Sequence, residues 1–422
     1  MRSRHLRAAL AGLAWGLAAA AQGSEDGALQ LADQTADTAT PPRAWRAHVE
    51  WSAGRQRLRG PLAADGQGVQ RLSLDLRAEW ALPEGWQAGL APRLDLDRPA
   101  QAPGADTAVL TLREASLGRR LPGGLLLDAG RLRARQGVAR GYNPTDLFRE
   151  GSTRALASID PASVKANGQG SVMLRAQQLW AGGSALLMLS PRLGSGPSTR
   201  GLSLDVGATN PRRRMLASYS PALSERASAQ LLAAWQAGRA PRWGLNATWL
   251  AGGATVAYLE WSGGHTPAQL DLALQRDAPT RWRHQLALGA TTTTAGRLSL
   301  SAELQADGAA LDAAGWRALR DGAPRDWLRY MALVQRLQEL PTRRAALLHA
   351  SWADAFIPRL QLGALVAADT AGATRRGWLE ARYHADGADL ALQWQREQVA
   401  APPATGLPTA RRRWLLSLRH FL

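Results

Sequence analysis

The stretch Arg71-Leu72-Ser73-Leu74-Asp75-Leu76-Arg77-Ala78-Glu79-Trp80-Ala81-Leu82 alternates apolar and polar side chains almost without a break. Leu72, Leu74, Leu76, Ala78, Trp80 and Leu82 take one parity, against Arg71, Ser73, Asp75, Arg77 and Glu79 on the other. Successive side chains of a strand point to opposite faces, so this segment predicts a strand with one apolar and one charged face. The same alternation runs through Trp45 to Ala53, Trp86 to Asp97, Trp282 to Ala290, Leu298 to Leu304, Leu360 to Val366 and Ala388 to Trp394. No block of 18 apolar residues free of charge follows the first segment of the chain, so helical spans are excluded.

The connections sort by length. Pro83-Glu84-Gly85, Pro122-Gly123-Gly124, Ala181-Gly182-Gly183 and Ala251-Gly252-Gly253 are tight turns, whereas 136–169, 263–280 and 306–342 are long. A sandwich has no reason to alternate short and long connections; a transmembrane barrel has short turns at one rim and long loops at the other. The expected fold is therefore all-β: a transmembrane antiparallel up-and-down barrel of about 18 strands over 43–422. Leu202-Ser203-Leu204-Asp205-Val206 reads either as a loop extension or as an extra strand, and 16 strands is the alternative count.

Tryptophan gives an independent reading. The chain has 17 Trp against 3 Phe, and apart from Trp15, Trp316 and Trp327 all fall in the expected strands. Trp80, Trp86, Trp180, Trp249 and Trp352 lie beside the short turns; Trp51, Trp235, Trp243, Trp261, Trp282, Trp378, Trp394 and Trp414 lie toward the opposite ends. Indole prefers the membrane interface, so two girdles are expected. The last strand, with Trp414, Leu416 and Leu418 on one parity and Phe421 next to the end, resembles the terminal signal of outer-membrane barrels.

Residues 1–21, with Arg2, Arg4 and Arg7 ahead of an apolar run that ends in Ala19-Ala20-Ala21, read as a signal peptide. The polar stretch 22–42 reads as a flexible periplasmic leader. The expected location is the outer membrane of a Gram-negative envelope, with lipid as the immediate partner.

Charge then finds its place. The 51 basic and 34 acidic residues leave a formal +17. Such an excess on a soluble chain points to nucleic acid, but a charge on the lipid face near the midplane costs roughly 2–4 kcal/mol, so the arginines belong to the opposite parity. Arg71, Arg77, Arg93, Arg175, Arg283 and Arg297 sit there, interspersed with Asp75, Glu79, Asp95, Asp97, Glu303 and Asp389. A barrel this wide is wet inside, and a cationic surplus concentrates anions in it. With no cysteine and seven scattered histidines, neither a thiolate site nor a metal-ligand spacing is present, and no cofactor is expected.

One region is more specific. Leu112-Arg113-Glu114-Ala115-Ser116-Leu117-Gly118 leads through a turn to Leu127-Asp128-Ala129-Gly130-Arg131-Leu132-Arg133. Gly141-Tyr142-Asn143-Pro144-Thr145-Asp146-Leu147-Phe148-Arg149 follows, and Asp160-Pro161 closes the segment. This run resembles porin-like outer-membrane barrels of the alginate-export family and related porin families, as do Val172-Met173-Leu174-Arg175 and Tyr258-Leu259-Glu260-Trp261. The resemblance implies a channel with a long loop dipping into the barrel and charged residues around a constriction. Its candidates here are Arg113, Glu114, Asp128, Arg131, Arg133, Tyr142, Asn143, Asp146, Arg149 and Arg175.

The residues of 136–169 agree with that picture: Asn143-Pro144-Thr145-Asp146 has turn chemistry, and a loop of this length is normally functional or disordered. Either it folds inward on its mixed charges or it is a mobile external loop. Segment 325–340 breaks the period-two pattern, with Trp327, Met331, Val334 and Leu337 at helical spacing between Pro324 and Pro341 and Asp326 as a cap. It is expected to be a short amphipathic helix in an outer loop, packed on the loop beneath or covering the mouth.

The function expected from all this is passive passage of small or polymeric, anionic solutes; an export or surface-assembly component with a periplasmic partner is the alternative. No Ser/His/Asp context supports hydrolytic chemistry, so no enzyme is expected.

Overall fold

A computed structural model describes residues 44–60, 66–99, 106–154 and 158–422. The expected signal peptide and leader lie outside the described residues. Period-two patterning becomes eighteen strands: β1 Trp45–Arg59, β2 Gln67–Ala81, β3 Trp86–Arg98, β4 Ala108–Arg120, β5 Leu125–Leu132, β6 Ser171–Trp180, β7 Gly183–Ser190, β8 Arg214–Pro221, β9 Ala227–Gln236, β10 Arg242–Leu250, β11 Thr255–Thr266, β12 Arg281–Thr293, β13 Leu298–Asp307, β14 Arg344–Trp352, β15 Leu360–Asp369, β16 Thr374–Ala385, β17 Ala388–Val399 and β18 Ala410–Phe421. Each strand pairs antiparallel with its sequence neighbours, and β1 pairs with β18, so the sheet closes without an edge. Closure lets every strand bond to a neighbour on both sides, which is the condition for strands to cross lipid. No helix of the described residues is long and apolar enough to cross a membrane.

The two faces separate cleanly. Leu72, Leu74, Leu304, Leu348, Leu390 and Leu392 are exposed on the outside, while their neighbours Ser73, Asp75, Glu303, Gln305, Asp389 and Gln393 are buried on the inside. The segment 200–211 is not a strand; it is loop with a single helical turn, α2 (Val206–Thr209). Gly201 in this loop accepts from Leu110 N at 2.9 Å and so pads the wall beside β4.

Four further helices sit in the long loops: α1 Pro161–Ala166, α3 Gln269–Leu274, α4 Ala313–Asp321 and α5 Pro324–Leu337. The expected helix is α5, but its N-cap is Ala323 and Asp326 lies within the first turn. The sequence reading also missed α4, whose N-cap Asp312 accepts from Gly315 N. Trp316, Leu319, Trp327, Tyr330, Met331 and Val334 bury against Ala373 and Ala401, forming a small apolar core outside the sheet.

Two of the tryptophan assignments change. Trp378 faces inward, stacked on His349 with ring centroids 6.4 Å apart and packed with Leu347 and Leu365. The interior is apolar there because Ile159, from the loop after β5, fills it. Trp51 lies near the middle of β1, opposite Leu72 and Leu418, because this strand runs well beyond it. Arg297 is not on a strand face either: it takes φ 60° in the β12–β13 turn, where it pairs with Asp354.

Candidate functional site

The lumen is occupied by the loop between β5 and β6, held by two wall carboxylates. Glu260 of β11 and Glu303 of β13 both lie on inward parity and are almost fully buried. Glu260 accepts from Val138 N (3.0 Å), Ala139 N (3.0 Å) and Thr145 N (2.9 Å), and from the Asn143 amide at 3.2 Å. Glu303 accepts from Arg140 N (2.7 Å), Gly141 N (3.1 Å) and Tyr142 N (3.0 Å). Five successive amides, 138 to 142, thus converge on two carboxylates, a backbone anion cradle used in reverse to seat a loop on a wall.

Local sequence makes that approach feasible. Gly137 takes φ +106°, and a Cβ there would fall 2.4 Å from a Glu260 oxygen. The Asn143-Pro144 turn closes with Asp146 N bonding Asn143 O at 3.1 Å, which brings Thr145 back to Glu260. The Lys165 ammonium reaches Ala139 O at 2.6 Å from α1.

A second tier joins this loop to the helical cap. Arg149 pairs with Glu339 at 2.6 Å, and its guanidinium stands over the Tyr142 ring. The Tyr142 hydroxyl donates to Glu339 at 2.6 Å, and Gln338 donates to Arg149 O and to the Ser152 hydroxyl, both at 2.8 Å. Burial pushes the Tyr142 phenol up, with Asp307 and Glu339 adding to it. Against its own burial, Arg149 and Arg242 pull the Glu339 carboxyl below the usual range. Burial raises Asp146 to about 6, with Arg149 and Arg135 opposing.

The candidates drawn from the sequence divide into three groups. Tyr142, Asn143, Asp146 and Arg149 belong to the docked loop. Arg113, Glu114, Asp128 and Arg175 are on the inner wall: Arg113 bonds Asp75 at 2.6 Å, Glu114 accepts from Ser116 at 2.9 Å, and Arg175 pairs with Asp128 at 2.8 Å. A bulge places Arg113 and Glu114 inward together although they are consecutive, since Ala91 and Pro92 skip Arg113 in the register. Arg131 and Arg133 stand apart. Arg131 shares the outward parity of Leu127 and Ala129 and bonds Gly170 O (2.8 Å), Gln169 (3.1 Å) and Leu204 O, and Arg133 bonds Lys165 O at 3.0 Å.

Sequence reasoning read Glu303 only as one of the luminal acids and did not single out Glu260 or Glu339, although these three residues seat the loop. The available signal was weak: an acid on the inward parity in mid-strand, with Gly137 and Gly141 elsewhere in the chain to receive it.

No family model and no curated protein matches the sequence. Among solved structures, Pseudomonas aeruginosa OccK10 (OpdN) is similar at 13% identity over 90% of this chain and 99% of that one, with a TM-score of 0.52. Pseudomonas aeruginosa OccD3 (OpdP) is similar at 13% identity over 90% and 92% with a TM-score of 0.48, and a mutant Rhodopseudomonas blastica porin at 12% over 90% and 100% with 0.43. At such identities the likeness shows the fold alone, and none of these comparisons shows the alginate-export family.

Proposed function

We propose that this chain is an outer-membrane channel for passive passage of small anionic solutes. The observation that carries the reading is a closed apolar-faced barrel whose lumen contains a loop seated by its own backbone on Glu260 and Glu303. A rigid inward loop in a wide barrel is a size filter, which favours small solutes over polymers of the alginate kind.

Charge supports the anionic part. Many inner-wall arginines are neutralised in place: Arg71 by Asp97, Arg93 by Asp95, Arg382 by Glu380 and Arg419 by Glu50. Four inward arginines bond only neutral groups among the described residues. Arg214 bonds Ser171 at 3.2 Å, Arg242 bonds Ser262 at 2.6 Å, Arg283 bonds Gly308 O at 2.8 Å and Arg413 bonds Gln56 at 3.2 Å. None of the four forms a salt bridge among the described residues, although Glu339 acts on Arg242, Glu150 and Asp146 on Arg214, and Glu397 on Arg413 from further off; the surplus of arginine over carboxylate favours mobile anions, which a low-dielectric channel concentrates.

A planar bilayer under a salt gradient tests this. We expect stable conductance with an anion-selective reversal potential, shifted toward cations in an Arg242→Glu/Arg413→Glu variant. No conductance would overturn the channel, and an unmoved reversal potential would overturn the assigned source of selectivity.

A further inference from the structure

The outside of the barrel carries a second arginine group that channel function does not use. In the pairing of β16, β17, β18 and β1, Gly377, Arg396, Arg412 and Arg57 stand directly opposite one another in a single row. The next row reads Leu379, Trp394, Trp414 and Arg55, and the one after that Ala381, Leu392, Leu416 and Ala53. Sharing parity with exposed Leu379, Leu392, Trp414 and Leu416 places these arginines on the lipid side. On the other flank, Arg375, Gln398, Ala410 and Arg59 make a further row toward the long-loop rim.

Like charges directly opposite on neighbouring strands destabilise a sheet. The chain nevertheless places three in line, and the outward positions of these four strands hold no acid among the described residues. Among the described residues none of Arg55, Arg57, Arg375 and Arg412 makes an ion pair or side-chain hydrogen bond, and the Nε of Arg396 is buried without a partner there. Depth matters here as much as charge. Trp394 and Trp414 mark the interface, and an arginine just beyond it costs only about 0–1 kcal/mol in lipid. A guanidinium row at headgroup level, with aliphatic and indole surface directly below, matches an amphiphile whose phosphates sit above acyl chains. A symmetric second copy would lay arginine against arginine, so it is not the occupant.

We propose that Arg57, Arg396 and Arg412, flanked by Arg55, Arg59 and Arg375, bind the phosphorylated headgroup of a glycolipid in the surrounding outer leaflet. This rests on the membrane-spanning reading above, though not on ion conduction. The test is native mass spectrometry of the detergent-extracted barrel titrated with bisphosphorylated lipid A, its dephosphorylated form, or inorganic phosphate. Retained adducts are expected only with bisphosphorylated lipid A, weakened about tenfold or more in Arg57→Gln/Arg396→Gln/Arg412→Gln and by a smaller factor in Arg412→Gln alone. Heat-modifiable gel mobility checks that both variants still close. Equal retention of the dephosphorylated lipid, equal binding by both variants, or displacement of the lipid by equimolar inorganic phosphate would overturn the proposal. Bilayer conductance of the same samples separates the two readings: a silent barrel that keeps its lipid adducts sinks the channel alone, and a conducting one without adducts sinks this site alone.

Discussion

The wall and the loop inside it are held by opposite strategies. In the wall every strand borrows its hydrogen bonds from two neighbours, and each outward leucine meets the same solvent, so one lost contact is shared among many. The loop between β5 and β6 has no ladder; its seat centres on two wall carboxylates and on the side chains of Gln338 and Glu339 that tie it to the cap. Redundant bonding makes a scaffold, and concentrated bonding makes a part whose position a few side chains set. A channel needs both, because the passage is defined by the second while the first keeps it in the membrane.

Three experiments would break or sharpen that contrast. The largest effect is expected from Glu260→Ala/Glu303→Ala. It leaves six backbone amides without their carboxylate acceptor, at about 1–3 kcal/mol for each that stays buried. The loop should leave the lumen, raising single-channel conductance and opening 137–150 to protease, with far-ultraviolet dichroism still that of a barrel. Wild-type conductance and protease resistance in this variant would show that the loop is held elsewhere.

Next comes the cap. Trp327→Ala in α5 should cost the cap about 3–5 kcal/mol, since the indole is buried in a core that meets the sheet at the end of β17, through Val399. Protease cutting within 313–337 should rise while heat-modifiable mobility of the barrel stays put. If the barrel itself melts earlier, wall and cap are one cooperative unit.

The smallest effect is on pH. Asp146 is an acid whose pKa in the docked loop is about 6, above its free value of 3.8, so the docked state holds an extra proton between them. Docking therefore gains as pH falls through 6 and approaches its limit near 4 for this group. Glu339 is shifted the other way, so its pairing with Arg149 persists over the upper part of that window. Conductance should fall modestly from pH 7 to 5, and Asp146→Asn should flatten the dependence. An unchanged slope in that variant would assign the titration to another group.

Much of the wall was legible in advance, and the reason is local. Leu72 and Asp75 declare their faces through neighbours one and two residues away, and Pro83-Glu84-Gly85 announces its own turn. Trp378 failed because its face depends on Ile159, more than two hundred residues earlier in the chain, which turns one sector of the interior apolar. Asp326 was misplaced as a cap because the chain turns three residues earlier, at Ala323. Arg131 reads as an inner-wall residue beside Asp128, yet the loop carrying Leu204 folds over it.

Alternation and the sorting of short turns from long loops, then, determined an antiparallel barrel with leucine mostly outside and charge mostly inside, because a strand's faces are written into consecutive residues. Folding decided which charges remain free. Glu260 and Glu303 look like two more luminal acids until the amides of 138–145 reach them, across more than a hundred residues. Arg396, Arg412 and Arg57 look unrelated until strand closure sets them in one row. Both arrangements arise from register and docking between distant segments, and nothing in the local pattern of either partner encodes them.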